Sequence, residues 1–446
     1  MSLRYLIAMS LVLVGCGSSS DGSPAASGGA AGMGGMAGLG GAAGAPEPPV
    51  DVIVSTPSGA VNEDEPSIVV TAGGRIVMAW DNRLSGAFQV AARVSDDGGK
   101  TWGEIQTLPL KPEQNVAANT SLTATEDGTV FLSWGAEKVT QTGQRSELGV
   151  YVAKLPPDAP AFGAPMEVTD PAAEVGVYDQ PFIAATSQGL FLAYSQFSTS
   201  LMSAKMVTRF SQDGGATWST SELPSTGLQG FMNGVQLCRA EGDRAYLTMV
   251  DANLGIALWR SDDGGQSFGD AISIPLPEEF GQLTFMRDGN CVAHGEDVWI
   301  LYGLSDDVAT SNHEKIAHLS SLRLAHSGDG GQSIESRVDV GDPSAGKYFL
   351  LSRLAREDSG ALDITYYAGS GDGDDQASYR WGRSTDGGKT FPTTVLRSPV
   401  VFEQSRVTSK FLGDYMGLVW QGGRLYSAFV DNSAASHIVL HAEDTP

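Results

Sequence analysis

The fold is decided by Ser95-Asp96-Asp97-Gly98-Gly99-Lys100-Thr101-Trp102, a stretch whose pattern returns at four further places along the chain. The shared form is Ser-x-Asp-x-Gly-x-Thr/Ser-aromatic, with isoleucine at the last position of the fourth copy. The aspartate can accept hydrogen bonds from turn amides, and the glycines can adopt positive φ, so each copy predicts a tight turn with a structural role. The five aspartates are Asp97, Asp213, Asp263, Asp329 and Asp386. Self-similarity over such a length predicts a repeat architecture.

Each repeated turn lies within a longer unit of short apolar-alternating segments, which is typical of a four-stranded antiparallel sheet. In the first unit the strands are predicted at 66–71, 75–80, 88–95 and 104–108. The second strand of the unit recurs seven times, at intervals of about 50 to 65 residues. These seven strands are predicted at 76–80, 130–134, 190–194, 245–249, 298–302, 362–366 and 425–429.

The last unit supplies only three strands, ending at 438–441, and the segment 52–54 at the start can complete its sheet. A ring closed by strands from both chain ends has no free sheet ends. The sequence therefore predicts an all-β fold, a single β-propeller of four-stranded antiparallel blades closed by an N-terminal strand. Seven blades are preferred, and six are the alternative if two weak units merge.

The first fifty residues predict export and attachment to a membrane. Arg4 precedes an apolar run, 6–14, that is too short to span a bilayer permanently. The run ends at Cys16 in a pattern that resembles the bacterial lipobox, although an ordinary signal peptide that contains a cysteine is the alternative. The Gly/Ala/Ser-rich stretch that follows cannot bury enough apolar surface to fold.

We therefore predict a signal peptide at 1–15, a lipidated Cys16 with a disordered tether at 16–50, and the propeller at 51–446. The expected location is the bacterial cell envelope, with the outer membrane or cell surface favoured over the inner membrane. The net charge of −24 argues against nucleic acid as a partner. We expect a monomer. Cys238 and Cys291 can form a disulfide in an oxidising compartment, with two buried thiols as the alternative.

Function is expected on one face of the propeller. The loops that enter the innermost strands, and those that join second to third strands, open on this "loop face", whereas the repeated turns lie on the opposite face. Six innermost strands place a short carboxylate or amide near the mouth of the central channel, and the neighbouring loop adds Asp81. The predicted column is Asp64, Asn119, Asp179, Asn233, Asp288 and Asp414.

Three interpretations of this column are open. Asp and Asn can simply cap the turns that enter the strands. Several carboxylates at one pore can instead recruit a cation, and Ca²⁺ would then be held by Asp64, Asp179, Asp288 and Asp414. A polyhydroxy ligand could also pair with these side chains. No cofactor is certain, and Ca²⁺ is the candidate.

The repeated turns resemble the Asp-boxes, or BNR repeats, of the sialidase (neuraminidase) superfamily. The segment 64–83 is similar to that family's Glu-Pro-Ser to Arg progression, and 413–418 resembles the strand that carries its nucleophilic tyrosine. The resemblance implies that Tyr415 is a nucleophile, Glu65 its activating partner and Arg83 part of an arginine clamp. Asp64 and Asp414 are further catalytic candidates, since an aspartate is the family's acid/base.

The sequence departs from that family at the clamp. No Arg-Ile-Pro motif precedes the first repeated turn, and Arg287 and Arg353 lie near innermost strands outside any recognisable motif. The carboxylate column would also repel an acidic sugar. Sialidase activity proper is therefore disfavoured. The favoured hypothesis is recognition of a glycan or protein by the loop face, and the alternative is a glycoside hydrolase or lyase of sialidase-like fold.

Overall fold

The computed structural model describes residues 49–55, 62–84, 87–141, 143–169, 176–197, 204–221, 223, 232–239, 243–251, 255–275, 287–305, 319–346, 348–369, 376–401, 412–433 and 436–445. The predicted signal peptide, Cys16 and nearly all of the predicted tether lie outside these ranges. Within them, no helix is long and apolar enough to cross a membrane.

In the described residues, twenty-eight strands form seven four-stranded antiparallel sheets, which confirms the seven-bladed propeller. Blade 1 contains β2 Asn62–Val70, β3 Ile76–Leu84, β4 Ala87–Ser95 and β5 Gln106–Thr107. Blade 2 contains β6 Val116–Ala124, β7 Val130–Val139, β8 Arg145–Leu155 and β9 Met166–Glu167. Blade 3 contains β10 Val177–Thr186, β11 Gly189–Phe197, β12 Ala204–Ser211 and β13 Ser219–Ser221. Blade 4 contains β14 Met232–Arg239, β15 Ala245–Asp251, β16 Gly255–Ser261 and β17 Ile272–Pro275.

The remaining blades follow the same order. Blade 5 contains β18 Arg287–His294, β19 Asp297–Ser305, β20 Leu319–Ser327 and β21 Ser336–Asp339. Blade 6 contains β22 Tyr348–Arg356, β23 Leu362–Gly369, β24 Gln376–Ser384 and β25 Thr393–Val401. Blade 7 contains β26 Gly417–Gln421, β27 Arg424–Asp431, β28 His437–Asp444 and, from the other end of the chain, β1 Val50–Ile53. The first strands of successive blades contact one another in a closed ring, β2, β6, β10, β14, β18, β22 and β26.

The ring closes as predicted, because β1 pairs antiparallel with β28. Side chains reinforce this seam. The His441 ring bonds Asp51 Oδ1 at 2.8 Å, and Arg93 Nη1 donates to the carbonyl of the fully buried Val54 at 2.7 Å. The two ends of the chain are therefore held in one sheet.

The second strand of each blade supplies the core. Its fifth predicted position holds an aromatic residue in six blades and methionine in the fourth, and each of these side chains is at most 1% exposed. The seven are Trp80, Trp134, Tyr194, Met249, Tyr302, Tyr366 and Phe429. Large apolar side chains at this depth bury the most surface, which is why these strands were the easiest to recognise in the sequence.

The five repeated turns share one hydrogen-bond pattern. In the first, Ser95 Oγ accepts from the Gly99 amide at 2.9 Å, and Asp97 accepts from the Thr101 amide and hydroxyl at 2.8 and 2.6 Å. The Thr101 bonds lower the pKa of Asp97 to about 2. These carboxylates are thus engaged within their own turns, on the face opposite the loop face.

A disulfide joins Cys238 on β14 to Cys291 on β18, with a Cα–Cα distance of 5.7 Å. The bridge therefore connects the innermost strands of blades 4 and 5, and both cysteines lie in the apolar core between these blades.

Candidate functional site

The first strands of blades 1 to 6 each contain an irregularity in pairing at the same level of the ring. The register shifts lie between Asp64 and Ser67, Ala118 and Ser121, Asp179 and Phe182, Asn233 and Gln236, Arg287 and Asn290, and Leu350 and Arg353. In the described residues, every non-glycine residue with positive φ lies within one of these bulges: Glu65, Asn119, Gln180 and Leu351. The bulges re-aim side chains next to the central axis.

This register corrects the predicted column. Asp64, Asp179 and Asn233 precede the bulge as expected, whereas Asn119 and Asp288 lie one residue later, level with Glu65. Asp414 lies before β26, outside any bulge. Sequence spacing missed this offset because a bulge opposes two residues of one strand to one residue of its partner.

Three buried carboxylates from blade 1 form an acidic cluster: Asp64, Glu65 and Asp81. One oxygen from each lies within 4.8 Å of the others, and the residues are at most 3% exposed. Asp64 and Asp81 are directly paired on β2 and β3, so their side chains share one side of the sheet. The bulge at Glu65 brings the third carboxylate to this group.

Arg83 neutralises one member of the acidic cluster. Its Nε and Nη2 atoms donate to the two oxygens of Asp64 at 2.6 and 2.8 Å, and Nη2 lies 3.8 Å from Glu65 Oε1. The guanidinium is buried and packs over the Phe88 ring. Arg83 is thus engaged with Asp64, so the clamp role that the resemblance implies would require it to leave this pair.

The other two carboxylates bind neighbouring blades. Both oxygens of Asp81 accept the backbone N–H of Asn119 in blade 2, at 3.1 and 3.2 Å. Glu65 Oε1 accepts the N–H of Asp414, which precedes blade 7, at 3.3 Å. Glu65 Oε2 is buried and has no hydrogen-bond partner among the described residues. The acidic cluster therefore lies where blades 7, 1 and 2 meet.

Burial sets the electrostatics of the acidic cluster. It raises the pKa of Glu65 well above its ordinary value, and the charges of Asp81, Asp414 and Asp64 raise it further. Burial, with the charge of Asp64, raises the pKa of Asp81 to about 8. Carboxylates in this position need protons or a cation to offset their repulsion.

Tyr415 directly follows Asp414, whose N–H bonds Glu65. The residue is 3% exposed, and the hydroxyl has no hydrogen-bond partner within the described ranges. Burial raises the pKa of Tyr415 far above its ordinary value, and Glu65 and Asp81 are the charges that add most. The resemblance to sialidases implies that Tyr415 and Glu65 act as a pair. The bond between Asp414 and Glu65 brings the segment that carries Tyr415 next to Glu65.

Arg353 is buried and contacts Tyr415 instead of facing solvent. Its guanidinium lies 5.6 Å from the centroid of the Tyr415 ring and donates to the carbonyls of Met416 and Ser352. The Phe182 ring packs against Tyr415 from blade 3, at a centroid distance of 5.6 Å. Arg353 and Phe182 together hold the tyrosine in place.

Partly exposed side chains surround this buried group and form a rim: Asn119, Asp179 and Asp414. Asp179 precedes the bulge of β10, and Asp414 bonds Glu65 in the bulge of β2, which places both at the same end of the ring. The backbones of Asn233, Arg287 and Asp288 lie in β14 and β18, and their side chains are outside the described part of the structure.

Sequence reasoning missed Gln180 and Phe182. The signal was present, because Pro181 follows Gln180 as Pro66 follows Glu65, so the two bulges share an Asp-x-Pro sequence. A separate cavity of about 310 Å³ lies on the face of the repeated turns, between blades 5 and 6, lined in part by Asp297, Trp299 and Lys389. It shares no lining residue with the rim or the acidic cluster.

No protein-family model matches the sequence, and no curated protein matches it. Among solved structures, a protein of unknown function from Dyadobacter fermentans DSM 18053 is similar at a TM-score of 0.53 and 15% identity, over 89% of this chain and 98% of that chain. Trypanosoma rangeli sialidase in complex with 2,3-difluorosialic acid, a covalent intermediate, is similar at a TM-score of 0.51 and 13% identity, over 86% of this chain. The match spans 54% of that sialidase, about half its length. At such identities the similarity shows the fold alone, a sialidase-like β-propeller.

Proposed function

We propose that this propeller recognises a neutral glycan at its loop face. The observation that carries the proposal is the rim of Asn119, Asp179 and Asp414, which are partly exposed above a buried acidic cluster. Short carboxylate and amide side chains held by rigid strands are suited to bind sugar hydroxyls, since each offers fixed hydrogen-bond acceptors or donors.

The charge of the site supports a neutral rather than an acidic ligand. The chain carries a net charge of −24, and Arg83 and Arg353 are both engaged inside the protein. A carboxylate on the ligand would approach Asp179 and Asp414, and the described side chains of the rim include no arginine or lysine to offset that repulsion. A protein partner is the alternative ligand for the same face.

We expect the whole chain to bind a member of a panel of neutral oligosaccharides of glucose, mannose, galactose or xylose, and not 3′-sialyllactose. Asp179→Asn and Asp414→Asn should each weaken that binding about tenfold or more, because each removes a charged hydrogen-bond acceptor. Titration calorimetry measures both effects. Glu335→Gln is the control, since that side chain is 55% exposed and follows a repeated turn on the opposite face. No binding across the panel would contradict glycan recognition.

Hydrolysis is the second candidate, favoured by the contact of Gly413 and Asp414, which directly precede Tyr415, with Glu65. In the sialidase superfamily a tyrosine activated by a glutamate forms the glycosyl–enzyme link. Tyr415 and Glu65 are both at most 3% exposed, which supports recognition over catalysis. Chromatography of each oligosaccharide after incubation with the protein tests for cleavage. Cleavage that is lost in Tyr415→Phe while binding persists would make the protein a hydrolase.

We also propose that the protein is exported and anchored to the cell envelope through a lipid on Cys16, with the following Gly/Ala/Ser-rich segment as a tether. A single acyl chain binds membranes only marginally, so the diacylglyceryl cysteine and amide-linked chain of a lipoprotein would be needed for stable attachment. In a bacterial host, the chain is expected in the membrane fraction and labelled by fatty acid. Cys16→Ser should remove both properties, and a membrane-bound Cys16→Ser variant would contradict the anchor.

A further inference from the structure

We infer that the acidic cluster of Asp64, Glu65 and Asp81 binds a divalent cation of the Ca²⁺ class, directly beneath the rim. The inference goes beyond glycan recognition, because the cation can bind whether or not the rim holds a sugar. It also differs from the ring of carboxylates predicted by sequence, since two of the three ligands now come from one strand and the third from its neighbour.

A divalent cation would neutralise the excess negative charge of the acidic cluster. The single charge of the Arg83 guanidinium, which pairs with Asp64 and lies 3.8 Å from Glu65, does not balance three carboxylates. Asp414 brings a further acidic residue to this place, since its N–H donates to Glu65 Oε1 at 3.3 Å. Buried charges persist only when they are paired or coordinate a metal.

The ligand atoms are all oxygens, which selects hard cations such as Ca²⁺ over zinc or copper. Ca²⁺ takes oxygen ligands at about 2.3–2.6 Å, so two ligands on opposite sides of the ion are roughly 5 Å apart. The three carboxylate oxygens lie within 4.8 Å of one another, which is compatible with a shared ion. Glu65 Oε2, buried and without a hydrogen-bond partner among the described residues, is an available ligand atom.

The Tyr415 hydroxyl is an independent observation that points to a ligand here. It belongs to a different blade, is 97% buried, and has no partner in the described structure. The two residues before Tyr415 lie against Glu65: a Cβ at Gly413 would be 2.6 Å from Glu65 Cγ, and the Asp414 N–H donates to Glu65 Oε1. A buried hydroxyl in this position is satisfied by a cation, or by a water molecule that the cation holds.

Protonation is the alternative to a bound cation, because protonated Glu65 and Asp81 would no longer repel each other. The two alternatives differ in what the protein binds. A proton-bearing cluster takes up no metal, whereas a cation site binds one ion per chain and binds it less well as the pH falls.

The test uses the whole chain, stripped with EDTA and then titrated with CaCl₂ at pH 7.5. We expect one bound Ca²⁺ per chain after equilibrium dialysis and a saturable rise of a few degrees in the unfolding midpoint, as for any ligand that binds the folded state. Asp81→Asn and Glu65→Gln should each abolish the stoichiometric ion and the shift.

Glu63→Gln is the matched control. Glu63 is on the same strand and equally buried, but it bonds Ser55 and takes no part in the acidic cluster, so this variant should keep the ion. Tyr415→Phe should weaken Ca²⁺ binding, because it removes the hydroxyl that the ion or its water would satisfy. The inference is overturned if the wild-type chain binds no Ca²⁺, or if Asp81→Asn and Glu65→Gln bind it as the wild type does. Loss of sugar binding alone would leave it intact.

Discussion

Replacing Arg83 with leucine is expected to lower the free energy of unfolding by about 3–5 kcal/mol, the cost of leaving one partner of a buried ion pair uncompensated. Asp64 is fully buried, and Arg83 supplies two donors at 2.6 and 2.8 Å. Without these donors, the Asp64 carboxylate loses the guanidinium charge that offsets the cost of its desolvation. Urea denaturation in EDTA measures the loss, and the m-value shows whether two-state unfolding is retained.

A second variant separates the charge from the packing. In Arg83→Leu combined with Asp64→Asn, no buried charge is left without its partner, so a large part of the lost stability should return. Arg323→Leu is the control. Its partner Asp339 has a side chain that is 63% exposed, and such pairs contribute about 0–1 kcal/mol. Equal losses in the single and double variants would show that Arg83 acts through packing alone.

Substitution of Gly413 by alanine is the second large effect that we expect. Gly413 has φ of +93°, and an added Cβ would lie 2.6 Å from Glu65 Cγ and 2.8 Å from Glu65 N. The positive φ costs roughly 1–2 kcal/mol in a non-glycine residue. The overlap with backbone costs about 1–3 kcal/mol more. The overlap should also displace the backbone around Glu65 and Tyr415, which lies two residues from Gly413, and so weaken Ca²⁺ and sugar binding.

Gly422→Ala isolates the backbone contribution. Gly422 lies beside the same strand, β26, has φ of +63°, and has nothing within 4 Å of an added Cβ. It should lose only the stability due to positive φ and should bind ligands as the wild type does. If the two alanine variants were equally stable in urea denaturation, the close approach of Gly413 to Glu65 would carry no energetic weight.

The blades could be predicted because their signals are local. The turn at 95–102 makes its bonds within eight residues, and Trp80 and its six counterparts recur at the same place in each unit. The positions of the strand ends were predicted less accurately. The first innermost strand begins at Asn62 rather than at 66, because it continues through the bulge, and the fourth is confined to Gln106–Thr107.

The candidate site was predicted only in part. The sequence indicated Asp64, Asp81 and Asp179 as residues near the axis, and the resemblance to sialidases paired Glu65 with Tyr415. It did not reveal that Asn119 is level with Glu65, that Arg83 is committed to Asp64, or that Phe182 packs on Tyr415. Bulges and buried pairs depend on the neighbouring strand, which periodicity within one strand does not report.

The sequence by itself determined a closed β-propeller, with seven blades preferred over six, because these follow from repeats and alternation over short stretches of chain. Only the tertiary structure decided which polar groups meet. Glu65 and Asp414 are 349 residues apart in sequence and are joined by a hydrogen bond of 3.3 Å once β1 pairs with β28. The acidic cluster itself is local to β2 and β3, whereas the approach of the segment that carries Tyr415 to Glu65 is a product of ring closure.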